Sequence, residues 1–205
     1  MYIESLTLGL FYTNCFIVWN DDRDAFVIDP GSEPERIQNI IAAHDLAPRA
    51  VLLTHAHVDH IGAVPAIAAN YGLPVILNPD DLPIYQSPEN AFLPLVPPVP
   101  GLPATQPAFE EKIPGLEYTV LKLPGHTPGG VGYYFEGDRK LIAGDTLFQS
   151  SIGRTDLPGG DWTTLDRSIR EVLYPLPADV EVFPGHGPPT TIGREMTENP
   201  FVRTT

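Results

Sequence analysis

The stretch T-H-A-H-V-D-H, from Thr54 to His60, places four potential metal ligands within six residues: His55, His57, Asp59 and His60. It follows the apolar, strand-like run V-L-L and precedes a helix-like run. Alternate residues of an extended segment point to the same side, so His55 and His57 can bind one ion together. After a turn, Asp59 and His60 can face a second ion. Such ligands suit zinc, iron or manganese, and three of them with an open position are typical of a catalytic site.

Three further residues with metal-binding side chains follow strand-like runs later in the chain. His126 lies in L-P-G-H-T-P-G-G, Asp145 in L-I-A-G-D-T-L-F and His186 in F-P-G-H-G-P-P. Loops at strand ends are where a rigid scaffold usually presents functional side chains. Because one segment cannot complete two metal sites, we expect these residues to supply the missing ligands.

Composition narrows the class of protein. With 205 residues, 42% of them hydrophobic and 19% charged, the chain fits a single globular domain over residues 1–205. Its net charge of −14 and the lack of a basic cluster argue against a nucleic-acid partner. The sequence shows no membrane span and no secretory signal, so we predict no membrane partner and a cytoplasmic location. The lone cysteine, Cys15, is predicted to be a buried small hydrophobe.

The sequence predicts two successive sets of strands and helices with a similar order. The first has strands within 2–30, a helix near 33–46, a strand at 51–54, a helix near 61–71 and a strand at 74–78. The second has strands near 117–123, 130–136 and 140–144, a helix from Asp161, a strand near 180–183 and a short helix near 191–198. Periodicity alone supports only a mixed α and β fold.

The two longer helices carry start signals of different kinds. Ser32 with Glu35 forms a capping-box pattern before the first helix, and Asp161 is a good N-cap for the later one. His44 falls on the apolar face of the first helix near its end. We therefore predict a structural role for His44, and no role as a metal ligand.

Residues 79–114 hold ten prolines and cannot form a regular helix or a central strand. The same stretch carries apolar residues such as Phe92, Leu95 and Val96, so it is not a plain disordered linker. Two interpretations stay open. The segment is either a stiff, packed surface connection, or a lid over the metals or the contact of a homodimer.

Taken in order, these motifs resemble those of the metallo-β-lactamase-fold hydrolases. Asp29 in V-I-D-P-G, the 55–60 cluster, His126, Asp145 and His186 match the five motifs of that superfamily over nearly all 205 residues. The segments G-R-T-D-L-P-G-G-D and G-H-G-P-P-T-T-I-G-R-E are similar to short, single-domain glyoxalase II-like hydrolases. The resemblance implies an α+β fold, a four-layer αββα sandwich.

The resemblance also implies a site for two divalent metal ions, zinc first, with iron or manganese as alternatives. Asp145 would bridge both ions, and three residues would complete each site: His55, His57 and His126 for the first, Asp59, His60 and His186 for the second. Asp29 either supports the segment from His55 to His60, called the metal loop below, as a second-shell partner, or is only the start of a D-P-G turn. Thr54 either braces the loop or closes the strand.

The activity implied is hydrolysis of a small-molecule acyl-thioester, S-D-lactoylglutathione or a relative, by a metal-bridging hydroxide that Asp59 aims. G-x-S-x-G is absent, so we expect direct hydrolysis without an acyl-enzyme. Longer glyoxalase II enzymes bind glutathione with basic residues of a C-terminal helical domain. Here Arg154 is the candidate for binding an anionic substrate, unless it pairs with Asp156 or Asp161.

Other functions fit the same motifs. A persulfide dioxygenase shares the fold and would hold a single iron with His55, His126 and Asp145, a facial triad. A different ester or lactone hydrolase is a weaker alternative. A β-lactamase is weaker too, because Asp145 stands where those enzymes carry cysteine or serine. A non-catalytic metal-binding module is the remaining alternative.

Overall fold

The computed structural model describes residues 1–204, which form two compact units, residues 1–117 and 118–204. Each unit has its own sheet and its own apolar core. The single domain expected over residues 1–205 stays a prediction. Among the described residues, no helix has the length and apolar character that crossing a bilayer requires.

The first unit contains a six-stranded sheet whose strands follow the order of the chain. β1 to β3 pair antiparallel, and β3 to β6 pair parallel. The strands are β1 (Tyr2–Leu8), β2 (Thr13–Trp19), β3 (Asp24–Ile28), β4 (Ala47–Leu52), β5 (Val75–Ile76) and β6 (Thr105–Gln106). β4 is an inner strand with a buried carboxyl end, and the T-H-A-H-V-D-H stretch follows it directly.

Four helices belong to this unit: α1 (Pro34–Ala43), α2 (Val58–Ile61), α3 (Val64–Tyr71) and α4 (Leu82–Tyr85). Ile37 of α1 and Ile67 of α3 are fully buried and share one apolar cluster with residues of β2, β3 and β4. Cys15 on β2 is buried in that cluster, as the sequence predicts. Burial, together with the Asp29 carboxylate, raises the pKa of its thiol.

The capping box predicted for α1 is wrong. The residue before the helix is Glu33, in a left-handed conformation with φ 48°, and no side chain caps the helix. Glu33 Oε1 instead accepts a 2.7 Å hydrogen bond from the backbone N–H of Gly9, and Oε2 accepts one from Arg36. Contacts with the β1–β2 turn thus replace the local hydrogen bonds of a capping box.

The Pro-rich segment is ordered and packs on the first unit. It contains a 3-10 turn (Pro79–Asp81), α4, a tight turn in which Phe92 pairs with Val96, and the edge strand β6. Tyr85 is buried in the core, and its hydroxyl donates to the carbonyl of Pro103 at 3.1 Å. Val99 and Leu102 pack against the same core. These contacts support the interpretation as a stiff, packed connection.

The second unit contains a five-stranded sheet in the order β13-β12-β9-β8-β7 and a small hairpin. The sheet strands are β7 (Thr119–Lys122), β8 (Val131–Phe135), β9 (Lys140–Gly144), β12 (Glu181–Pro184) and β13 (Thr190–Thr191). The hairpin consists of β10 (Leu147–Phe148) and β11 (Ser151–Ile152). β9 and β12 run parallel, with Gly144 opposite Pro184. Both strands therefore end at the same edge of the sheet.

Two helices complete this unit. α5 (Trp162–Arg167) continues as a π-helix over Ser168–Leu173, and α6 (Ile192–Glu198) follows β13. Asp161 caps α5 as predicted, because its Oδ1 accepts from the N–H of Thr164 at 2.7 Å. Leu165, Ile169 and Leu173 are fully buried and pack in the apolar core of this unit.

Candidate metal centre

The T-H-A-H-V-D-H stretch runs from the loop after β4 into α2, with His55 and His57 in the loop and Asp59 and His60 in the helix. His55, His57 and His60 are 2%, 8% and 0% exposed. The ring of His55 lies 4.9 Å from that of His57 and 4.1 Å from that of His60, centroid to centroid. Three imidazoles so close and so well shielded from water are costly unless their nitrogens are engaged, which is what a metal site provides.

Thr54 and Asp29 contact the Nδ1 atoms of His55 and His60, respectively. Asp29 is fully buried, and its Oδ1 accepts from the N–H of Thr54 at 2.7 Å. Its Oδ2 accepts from the Thr54 hydroxyl at 2.6 Å and lies 3.0 Å from His60 Nδ1. The backbone of Asp29 is in the left-handed region, with φ 50°. Asp29 is thus hydrogen-bonded to Thr54 and His60, and its role as a support of metal ligands stays a prediction.

These hydrogen bonds decide which imidazole nitrogen carries the proton. The Thr54 hydroxyl donates to Asp29, so it accepts from Nδ1 of His55, 3.0 Å away. A carboxylate oxygen can only accept, so Nδ1 of His60 donates to Asp29. In both rings the proton resides on Nδ1, and Nε2 keeps the lone pair that a metal ion requires.

The Asp29-Pro30-Gly31 turn packs tightly on the metal loop. A Cβ added at Gly31 would lie 1.9 Å from the carbonyl oxygen of Asp59, and one at Gly62 would lie 2.2 Å from the carbonyl oxygen of Gly31. The N–H of Ala63 donates to the carbonyl of Pro30 at 2.9 Å. Only glycine permits this approach, which fixes Asp29 against the loop that it supports.

Asp59 is half-buried beside His60. Its Oδ2 lies 3.7 Å from His60 Nε2 and accepts a 2.9 Å hydrogen bond from the hydroxyl of Thr13 on β2. A carboxylate oriented by a hydroxyl and placed next to an imidazole Nε2 is a suitable second ligand.

Two residues of the Pro-rich segment, Asp81 and Asn90, form hydrogen bonds with the backbone of the metal loop. Asp81 is fully buried, and its Oδ2 accepts from the N–H of Ala56 at 2.9 Å. Asn90 Nδ2 donates to the carbonyl of Ala56 at 2.7 Å, and its Oδ1 accepts from the N–H of Val58 at 3.0 Å. The sequence analysis did not identify Asp81, Asn90 or Thr13. Nothing in their local patterns marks them, since each partner is more than 20 residues away.

In the second unit, Asp145 lies between two histidines. It directly follows β9, while His186 follows the end of β12, the parallel neighbour of β9. Asp145 Oδ2 lies 3.6 Å from Nε2 of His126 and 3.4 Å from Nε2 of His186. The structure therefore brings together the three residues predicted in this half of the chain.

His126 is oriented by the backbone of residue 154. Its Nδ1 lies 2.7 Å from the carbonyl oxygen of Arg154. A carbonyl can only accept, so the proton again resides on Nδ1 and Nε2 faces Asp145. Gly153 makes this arrangement tight, because a Cβ there would lie 1.8 Å from the carbonyl oxygen of Asp145 and 3.3 Å from Cβ of His126.

The side chain of Arg154 forms the ion pair considered from the sequence. Its guanidinium donates to both oxygens of Asp156, at 2.7 and 2.8 Å. Both groups are exposed, and this pairing lowers the pKa of Asp156 from 3.8 to about 2. A role of Arg154 in substrate binding stays a prediction.

His44 lies apart from these residues, at the end of α1. Its Nε2 is 3.2 Å from a carboxylate oxygen of Glu4, and its ring is 5.0 Å from that of Trp19. The side chain is 44% exposed, so the contact with Glu4 at the surface and the ring contact account for its position.

The chemistry of the two clusters fits divalent ions of the zinc, iron and manganese type. The candidate donors are imidazole Nε2 atoms and carboxylate oxygens, and the Nδ1 atoms of His55, His60 and His126 donate to protein oxygens. This arrangement orients metal-ligating histidines and raises their basicity.

Comparison with known proteins agrees with this chemistry. A sequence model of the metallo-beta-lactamase superfamily matches residues 8–186. The hydroxyacylglutathione hydrolase GloC of Haemophilus influenzae is 39% identical, with 98% of each chain covered. Two solved structures are similar along nearly the whole chain. The B3 metallo-beta-lactamase BLEG-1 is 40% identical, with a TM-score of 0.92 and coverage of 99% of this chain and 100% of that one. TTHA1623 in a di-iron-bound form is 42% identical, with a TM-score of 0.87 and coverage of 97% and 99%.

The chain belongs to the metallo-β-lactamase superfamily. The predicted α+β fold of that superfamily is confirmed. Within it, the protein is a metal-dependent hydrolase.

Proposed function

We propose that this protein hydrolyses acyl-thioesters with two divalent metal ions held by seven residues. His55, His57 and His126 bind the first ion, Asp59, His60 and His186 bind the second, and Asp145 bridges them. The ions are zinc, iron or manganese.

The main support for this ligand set is the hydrogen bonding of the three buried histidines His55, His60 and His126. Each ring gives its Nδ1 proton to an oxygen that belongs to the scaffold: Thr54 Oγ1, Asp29 Oδ2 or the carbonyl of Arg154. A histidine that served only as a core residue would have no reason to keep Nε2 deprotonated and directed to other imidazoles and carboxylates. The proposal makes Asp29 and Thr54 second-shell residues.

The position of Asp145 supports its bridging role. One of its carboxylate oxygens lies within 3.6 Å of Nε2 atoms on two different histidines, which the proposal assigns to different ions. These separations are compatible with a cation bound by both the carboxylate and an imidazole, since each metal–ligand distance is about 2.0–2.2 Å.

Two divalent ions would lower the pKa of a shared water to about 7 and stabilise negative charge that develops on a carbonyl oxygen. The protein's own residues keep the ligands rigid. Thr13 holds Asp59, and Asp81 and Asn90 hold the backbone between His55 and Val58. Asp59 is proposed to orient the attacking water as well as to bind metal. A thiolate is a good leaving group and needs no strong general acid.

The thioester substrate class is drawn from the relative named a hydroxyacylglutathione hydrolase. Arg154 is proposed to bind an anionic part of such a substrate. To do so it would have to exchange its contact with Asp156 for one with substrate. Arg154→Ala should then raise the KM of anionic thioesters more than that of neutral ones. Equal effects on both would assign Arg154 to structure alone.

The deciding experiment measures metal content of protein purified without added ions, followed by activity on S-D-lactoylglutathione. Two metals per chain with loss of the thioester would support the proposal. One iron per chain, with oxygen consumed on glutathione persulfide and no thioester hydrolysis, would replace it with persulfide dioxygenase activity. Bound metal without activity on a broad ester and thioester panel would indicate a binding module.

A further inference from the structure

A groove of about 650 Å³ opens beside Asp59 in the first unit. Its lining comes from two places. The turn between β1 and β2 contributes Leu10 and Phe11, and the Pro-rich segment contributes the stretch from Leu95 to Pro100. Ligand pockets for small molecules typically have volumes of about 300–1,000 Å³ and mostly apolar walls.

The two sides of the groove are packed against each other. The ring of Phe11 lies 4.8 Å from that of Phe92, centroid to centroid. Phe92 is the base of a tight turn, because its N–H donates to the carbonyl of Val96 and its own carbonyl accepts from the N–H of Val96. The groove is therefore built by defined contacts and is not a gap between mobile loops.

Large apolar side chains are exposed to solvent at the rim of the groove. Leu10 and Leu95 line the groove and are 66% and 67% exposed. Tyr12 and Leu93, next to the lining residues in sequence, are 73% and 74% exposed. Single exposed apolar residues are ordinary, but several on two adjoining turns mark a binding surface.

Charge distinguishes what this groove can hold. Among the residues that the structure describes, Asp59 and Glu33 are the charged residues that line it, and both are acidic. No Lys or Arg is among the lining residues that the structure describes, so an anionic arm, such as the carboxylates of glutathione, would find no cationic partner on these walls. An uncharged apolar arm would bury its surface against Leu10, Phe11, Leu95 and Val96, with its reacting end near Asp59.

We propose that this groove binds an uncharged apolar group attached to the scissile thioester, on the acyl side or on the thiol side. This inference depends on the proposed function and specifies its substrate class. It gives part of the Pro-rich segment, residues 95–100, a role in substrate specificity in addition to its structural one.

The test uses two series of uncharged thioesters on the metal-loaded protein. In the first series the thiol is N-acetylcysteamine and the acyl group is lengthened from acetyl to octanoyl. In the second series the acyl group is acetyl and the thiol is lengthened from ethanethiol to octanethiol. Burial of each methylene should raise kcat/KM about three- to fourfold in one of the series until the groove is filled. Flat profiles in both series, with thioesters still hydrolysed, would overturn the inference and leave the proposed function standing.

Two matched variants test whether the alkyl chain of the substrate binds in the groove. Leu95→Asp should flatten the profile, because it puts a charge into the groove. Leu93→Asp is the control, since Leu93 lies on the same tight turn and is equally exposed but does not line the groove. If Leu95→Asp and Leu93→Asp lose the dependence of kcat/KM on alkyl length to the same extent, the groove is not the binding site of the alkyl chain.

A binding measurement separates this inference from failure of the proposed function. Calorimetric titration of the metal-free protein with N-octylacetamide, an inert compound with the same apolar arm, should show binding that Leu95→Asp abolishes. Absence of binding would overturn the inference even if thioesters are hydrolysed. If both aspartate variants instead convert a dimer into monomers and the amide does not bind, the groove is a contact between two copies of the chain.

Discussion

Asn90 holds the backbone on both sides of His57. Its side-chain amide donates to the carbonyl of Ala56 and accepts from the N–H of Val58, as a neighbouring β-strand would. His57 itself is extended, with φ −63° and ψ 146°. An amide side chain from the Pro-rich segment thus fixes the direction of an imidazole that we propose as a metal ligand.

Asn90→Ala should lower the affinity of the protein for its metal about 10- to 100-fold, the usual effect of losing an outer-shell partner. Competition with a chelator of known affinity measures this change. Asn39→Ala is a control, because Asn39 is exposed on α1. Unchanged metal affinity in Asn90→Ala would show that the loop holds His57 unaided.

Thr54→Val should weaken metal binding by a similar factor and also destabilise the fold. Valine keeps the shape but leaves Asp29 Oδ2 and His55 Nδ1 without the hydroxyl that joins them. A buried polar group left unsatisfied costs about 1–3 kcal/mol. Urea unfolding of the metal-free protein measures the stability term separately. Equal stability and equal metal affinity would exclude this hydroxyl as a support of the site.

Asp145→Ala should remove most of the bound metal, because its carboxylate is the proposed bridge between two ions. Elemental analysis of the purified variant measures the metal-to-protein ratio. His44→Gln is the control and should keep full metal content, since the His44 side chain lies at the surface beside Glu4 and Trp19. Full metal content in Asp145→Ala would contradict the bridging role.

Asp156 should titrate near pH 2, and Arg154→Ala should return its midpoint towards 3.8. The folded-state pKa lies below the ordinary value, so the pairing with Arg154 is complete above about pH 4 and is lost as the pH falls through 2. Carboxyl chemical shifts followed by NMR between pH 1.5 and 6 measure both midpoints. An unshifted midpoint in the parent protein would mean that the guanidinium is available to substrate.

Gly31→Ala should destabilise the protein by about 2–3 kcal/mol or prevent folding, because the new methyl group overlaps the carbonyl oxygen of Asp59. Thermal unfolding compares it with Gly137→Ala, a control at a position with open space around it. If the two variants unfold at the same temperature, the turn at Asp29 can move away from the metal loop without cost.

The sequence indicated that His126, Asp145 and His186 converge, because each follows an apolar strand, and the structure brings these three side chains together. Their role as metal donors stays a prediction. The sequence also predicted the Asp161 cap, a signal complete within four residues. It failed at Glu33, where a tertiary contact with Gly9 overrides the local capping pattern. It could not identify Asn90, because a single amide that bonds to backbone 34 residues away leaves no periodic or motif signal.

The deep burial of Cys15 gives the molecule an intrinsic reporter of its own opening. It is the chain's single thiol, 0% exposed, and its raised pKa disfavours the reactive thiolate while the first unit is closed. Alkylating reagents should therefore modify native protein only as fast as that core opens. A cysteine introduced at the surface would react at once, so dyes or spin labels can be attached at a chosen position without removing the natural residue.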